Sequence, residues 1–202
     1  MSKRAYTAEE REILMGRLID RASERFKLEG IRNTNLDDIY RPLGISKTFF
    51  YTMCGSKPEL MLSVAVRQTD RILALLRERV SEAGVEDGLR ECIVELIGGY
   101  GFVITVDDLQ YLSSLFTEEQ KDRFETVVNG FSEAFLRTVG IPEGSLNPKV
   151  FFSMIMMILW ANNSRETTFS ILDEDSMREA TRLSVDGLVR MLMRLRGEGS
   201  AA

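Results

Sequence analysis

Apolar side chains recur along this chain every three or four positions, and strand-like alternation is almost absent, so the pattern predicts an all-α protein. Thr7 and Glu10 make a Thr-x-x-Glu capping box ahead of Ile13, Leu14, Leu18, Ala22 and Phe26, which follow at helical spacing until Gly30 stops the run. Asn35 is placed to cap a short second helix, 36–43, that ends at Gly44, and Ser46 to cap a third that ends near Gly55. Ser56-x-x-Glu59 is another capping box, with Pro58 tolerated in a first turn, and it opens a fourth helix to about Val80. Further helices are predicted over 86–104, 107–115, 118–139, 148–169 and 175–196. Gly84, the Gly140–Pro142–Gly144 stretch and Asp173–Asp175 supply the breaks. Three short elements therefore precede a series of longer ones, dividing the chain into a head, residues 1–55, and a helical body, residues 56–202.

Residues 44–60 read GISKTFFYTMCGSKPEL, with three adjacent aromatics on a short helix. A helix turns about 100° per residue, so Phe49, Phe50 and Tyr51 cannot all face one core. Two short helices joined through Leu43-Gly44-Ile45-Ser46 have the layout of a helix-turn-helix, in which the second helix enters the major groove of DNA. Leu36, Ile39 and Leu43 give the bracing helix an apolar face, and Ile45 and Phe50 anchor the helix that follows. Lys47, Thr48, Phe49, Tyr51 and Thr52 are left facing solvent or DNA. Lys57 and the helix N-terminus at Ser56 offer phosphate a charge and free N–H groups. Glycine turns of this kind also join helices in proteins with no DNA role, and an aromatic triplet taken alone is more often core packing.

Composition removes several other functions. With no histidine among 202 residues, zinc sites of the usual kind and histidine acid–base catalysis are nearly excluded. Cys54 and Cys92 are too few for a disulfide framework and lack metal-ligand spacing, so neither metal nor cofactor is expected. The run Val150–Ala161, broken only by Ser153, is shorter than the ~18 apolar residues a membrane span requires. The charged opening MSKRAYTAEERE has no apolar signal region, and a cytoplasmic protein is expected. Charge is uneven: residues 1–60 hold 11 Lys+Arg and 9 Asp+Glu, a net of +2, while the remainder holds 15 and 22, a net of −7. A polyanion would meet the head.

Residues 10–60 resemble the DNA-binding domain of the TetR family of bacterial transcriptional regulators. The resemblance is carried by Gly44, Ile45, Ser46, Phe50, Tyr51, Cys54, Ser56-Lys57 and Leu60, with Phe26, Gly30, Thr34, Asp38 and Ile39 upstream. It implies phosphate contacts from Tyr51, Lys57 and Thr34. It implies base-edge or sugar contacts from Lys47, Thr48, Phe49 and Thr52, with Ser46 at the head of the same helix. Phe49 stands where a small or hydroxyl residue is usual, Pro42 sits late in the bracing helix, and Cys54 replaces an aromatic packing residue.

In the body, Val150–Ala161 is apolar on every face, so it belongs inside a core or between a core and another subunit. Ala180, Ser184 and Gly187, followed by Met191, put small residues along one side of the last helix, where two helices approach closely or pack within one chain. The resemblance favours a homodimer through the last two long helices, reading a palindromic operator in double-stranded DNA. Gly98-Gly99-Tyr100-Gly101 interrupts the fifth helix, either breaking it or admitting close backbone approach. The resemblance also implies a ligand pocket, with Tyr100, Phe102, Phe124, Val128, Met156, Trp160 and Asn163 as candidate walls or plain core residues. Such a pocket would suit a small hydrophobic or aromatic effector that releases a repressor from DNA. Two alternatives stay open: a helical small-molecule-binding protein without specific DNA binding, and a DNA-binding protein governed by a protein partner. An enzyme is the least supported reading, because no catalytic constellation stands out.

Overall fold

The computed structural model describes residues 6–101, 104–163 and 173–199. Among them the chain is helical throughout, with no strand. The α-helices are α1 (Ala8–Asn33), α2 (Leu36–Tyr40), α3 (Lys47–Cys54), α4 (Lys57–Ala83), α5 (Val85–Ile97), α6 (Val106–Leu115), α7 (Glu118–Thr138), α8 (Pro148–Asn163) and α9 (Glu174–Gly199); a 3-10 turn (Arg41–Leu43) follows α2. No helix among the described residues is long and apolar enough to cross a membrane.

Local chemistry sets most boundaries. The Thr7–Glu10 capping box opens α1 with both reciprocal bonds present, and Gly30, at φ 75°, breaks its last turn. The expected 36–43 helix shortens to α2, because Pro42 has no N–H for the helical ladder and the chain tightens into the 3-10 turn. Gly44 then takes φ 71°, its N–H donating to Arg41 O at 2.9 Å and that of Ile45 to Tyr40 O at 3.2 Å. This paired closure needs a left-handed residue, which only glycine supplies without a Cβ penalty. The expected box at Ser56 half forms. Ser56 Oγ accepts from Glu59 N at 3.2 Å, while the Glu59 carboxylate accepts from Gln120 Nε2 at 2.6 Å and Arg123 at 2.9 Å. The Gln120 hydrogen bond, then Arg123, holds the Glu59 carboxyl below its usual range.

The predicted 86–104 helix ends at Ile97. There Gly99 N donates to Leu96 O and Tyr100 N to Glu95 O, with Gly99 at φ 97°, the same glycine closure as at Gly44. Close approach occurs as well, since a Cβ on Gly101 would stand 3.0 Å from Gln68 Cδ. Of the predicted 148–169 helix, α8 is described to Asn163; the remainder lies outside the described residues.

Two compact units result, residues 1–67 with 104–124, and residues 68–103 with 125–202. In the first, α1 packs on α2, α3 and α6 around buried Leu18, Ala22, Phe26, Ile39, Ile45 and Phe50. In the second, α5, α8 and α9 pack on one another around Leu89, Ile93, Phe135, Phe151, Val189 and Leu192.

Candidate nucleic-acid interface

The eight residues of α3 divide by the helical period. Phe50 and Cys54 face inward and are buried, Phe50 stacking on Tyr40 at 5.2 Å. Lys47, Thr48, Tyr51 and Thr52 are exposed, Tyr51 at 44%. Ser46, also exposed, caps the helix, its Oγ accepting from Phe49 N at 3.2 Å. The helix carries one base, Lys47, and no acid, so its outward face has the sign that phosphate requires. Thr52 Oγ1 donates back to Thr48 O at 2.9 Å, leaving its lone pairs to accept.

The three aromatics have three environments. Phe50 is core, Tyr51 is open, and Phe49 is half-buried on the outward side. Tyr6 covers Phe49, ring centroids 4.6 Å apart and planes 28° from parallel. Cys54 is buried at the end of α3: its Sγ donates to Ser56 O at 3.7 Å, and burial pushes the thiol up to about 12. Cys92 is buried and pushed up to about 12 for the same reason, so both thiols stay protonated at neutral pH.

Lys57 and Thr34 are more engaged than the sequence indicates. Lys57 Nζ donates to Thr34 O at 2.7 Å and Arg32 O at 3.2 Å, and sits 5.2 Å from the Tyr111 ring centroid. Burial lowers its pKa, partly offset by Asp108. Thr34 is buried and donates its hydroxyl to Gly30 O at 2.7 Å. Buried Asp108 accepts from Arg32 N at 2.9 Å, so α6 also holds the end of α1. A lysine satisfying two helix-end carbonyls is structural as well as charged. Lys57→Met should lower stability by about 2 kcal/mol, read as a shifted urea midpoint, because two carbonyls lose a charged donor. An unshifted midpoint would count against this tie. Nothing in the sequence flagged Tyr111 or Asp108, since their role depends on α6 returning to α1.

The candidate pocket residues are dispersed. Val128, Met156 and Trp160 are half-buried and Tyr100 is exposed, all in the second unit, while half-buried Phe124 belongs to the first and packs on Phe116 at 6.0 Å. Phe102 and the Asn163 side chain lie outside the described residues. Asn162 donates Nδ2 to Ile97 O at 3.1 Å, satisfying a carbonyl at the end of α5. On α9, Ala180, Leu183, Ser184 and Gly187 form an exposed stripe, with half-buried Met191 continuing it. On α8, Val150 and Met157 are 49% and 60% exposed, so the apolar run is core on one side, at Phe151 and Ile155, and open on the other. No group of three or more His, Cys, Asp or Glu side chains among the described residues is arranged to hold a metal ion.

The chain is similar to two solved structures of the TetR family. One is PfmR, a transcriptional regulator from Thermus thermophilus, with 20% identity, a TM-score of 0.49, and coverage of 86% of this chain and 97% of that one. The other is a candidate TetR-family transcriptional regulator from Mesorhizobium loti, with 16% identity, a TM-score of 0.48, and coverage of 92% and 98%. No protein-family model and no curated protein matches the sequence.

Proposed function

We propose that this protein is a TetR-like transcriptional regulator that binds a palindromic operator as a homodimer and leaves it when a small apolar or aromatic effector binds. The observation that carries this reading is the division of α3, where Phe50 and Cys54 fix the helix from within while Ser46, Lys47, Thr48, Tyr51 and Thr52 stay open around its N-terminal end. A helix anchored on one face and hydroxyl-rich on the other can lie in a major groove, its first N–H groups directed at phosphate. Thr48 and Thr52 lie toward base edges; Tyr51 and Lys47 reach the backbone. Lys57 adds its third N–H, and Thr34 contributes by fixing the turn ahead of α2. In this reading residues 1–55 are the reading head, and residues 56–202 carry effector binding and dimerisation.

The exposed faces of α8 and α9 support pairing of two copies, since helices carrying small residues at 180, 184 and 187 can approach closely. The half-buried Val128, Met156 and Trp160 support an apolar effector. Repression follows if the effector prefers the state that does not bind DNA; by linkage, operator DNA then weakens the effector by the same factor. No catalytic role is assigned.

Selection of bound duplex from a random pool tests the class and should return a palindrome. On that duplex Tyr51→Ala should weaken binding about tenfold for matched and mismatched sequences alike. Lys47→Ala should reduce the slope of log affinity against log salt by about one. Wild-type affinity in both variants would remove α3 from the interface.

A further inference from the structure

Tyr6 is unassigned by the helix-turn-helix pattern, yet it lies on the recognition helix. An apolar residue just before an N-cap commonly packs on the fourth helical residue of its own helix. In α1 that residue is Arg11, and Tyr6 stacks instead on Phe49, 43 positions away. The stack covers the Phe49 ring, while Tyr6 itself remains 39% exposed. At about 100° per residue, Phe50 and Cys54 define the inner face of α3, and Thr48 and Thr52 define the opposite face. Lys47 and Tyr51 then occupy one flank and Phe49 the other. The Tyr6–Phe49 pair is thus a second aromatic flank, across the helix from Tyr51.

A helix with its side chains is about 10–12 Å across and the major groove about 12 Å wide, so both flanks of a docked helix meet phosphate walls. Resting on the DNA-binding reading above, we infer that Tyr6 is a DNA-backbone contact, its phenol donating to a phosphate on the wall opposite the one met by Tyr51. Phe49 is the platform that positions it rather than a base-reading residue, which accounts for a large aromatic where a small or hydroxyl side chain is usual.

The experiment uses the full-length protein and the duplex selected from a random pool, carrying single neutral methylphosphonates at successive positions. The wild type should be weakened by substitutions on both walls. Tyr6→Phe keeps the stack, removes the donor, weakens binding about fivefold and becomes insensitive to the methylphosphonate on its own wall. Phe49→Leu should give a similar loss, and the double variant little further loss, because the two residues act as one contact. Wild-type affinity and an unchanged interference pattern in Tyr6→Phe, with Tyr51→Phe weakened in the same assay, would overturn the inference and leave the DNA-binding reading standing. A wild-type protein that selects no duplex would overturn both.

Discussion

A Gly88→Ala substitution is expected to destabilise the protein by about 3 kcal/mol, seen as a lower urea midpoint with an unchanged slope. Helix propensity gives the opposite sign, because alanine inside a helix is favoured over glycine by about 1 kcal/mol. Packing decides the matter. A Cβ at this position would lie 2.4 Å from the carbonyl oxygen of Arg79 and 2.5 Å from both Arg79 C and Val80 N. These are backbone atoms of α4, so no rotamer change relieves the contact, and α4 and α5 must separate. Separation would disturb Leu76, Leu89, Cys92 and Ile93, all buried in the same core. Gly130 in α7 is the control: nothing lies within 4 Å of an added Cβ, and Gly130→Ala should stabilise by about 0.4–1 kcal/mol. If the two variants shift the midpoint in the same direction, α5 does not approach α4 as described.

The second large effect is expected from Met157→Glu combined with Leu183→Glu. Both side chains are more than half exposed, so each change should alter the stability of a single copy by no more than about 0.5 kcal/mol. Carboxylates placed in a two-fold helix pairing would lose water among apolar side chains with no cation to pair with, which opposes association. If two copies pair as proposed, sedimentation should report half the wild-type mass with helicity retained. Under the same proposal, affinity for a palindromic duplex should fall about 100-fold or more, because two heads would no longer bind as one linked unit. A double variant that remains dimeric would remove α8 and α9 from the interface. A monomer with wild-type affinity would remove the two-headed mode of binding.

Much of this molecule is legible from residue order because helix punctuation is local. The Thr7–Glu10 box, Ser46 as a cap, Gly44 in the turn and Gly30 at the end of α1 act through bonds spanning a few positions, so sequence spacing determines them. The helical period requires that Phe50 and Tyr51 point to different sides, and the helix-turn-helix layout puts Phe50 with Ile45 inside and Tyr51 outside, as observed.

Other features depend on which element returns to which, and no local pattern encodes that. Lys57 looks like a free cation until the end of α1 places two carbonyls beside it. Phe49 looks open until Tyr6 covers it. Glu59 looks like half of a capping box until α7 brings Gln120 and Arg123 to its carboxylate. Gly88 draws no notice among 15 glycines until α4 passes against it. The sequence by itself determined the helical class, the order of the helices and most of their caps, because those are set by neighbours three or four residues away. The tertiary structure decided which exposed groups are engaged and which glycines have no room, because desolvation, hydrogen-bond satisfaction and steric contact depend on how one helix packs on another.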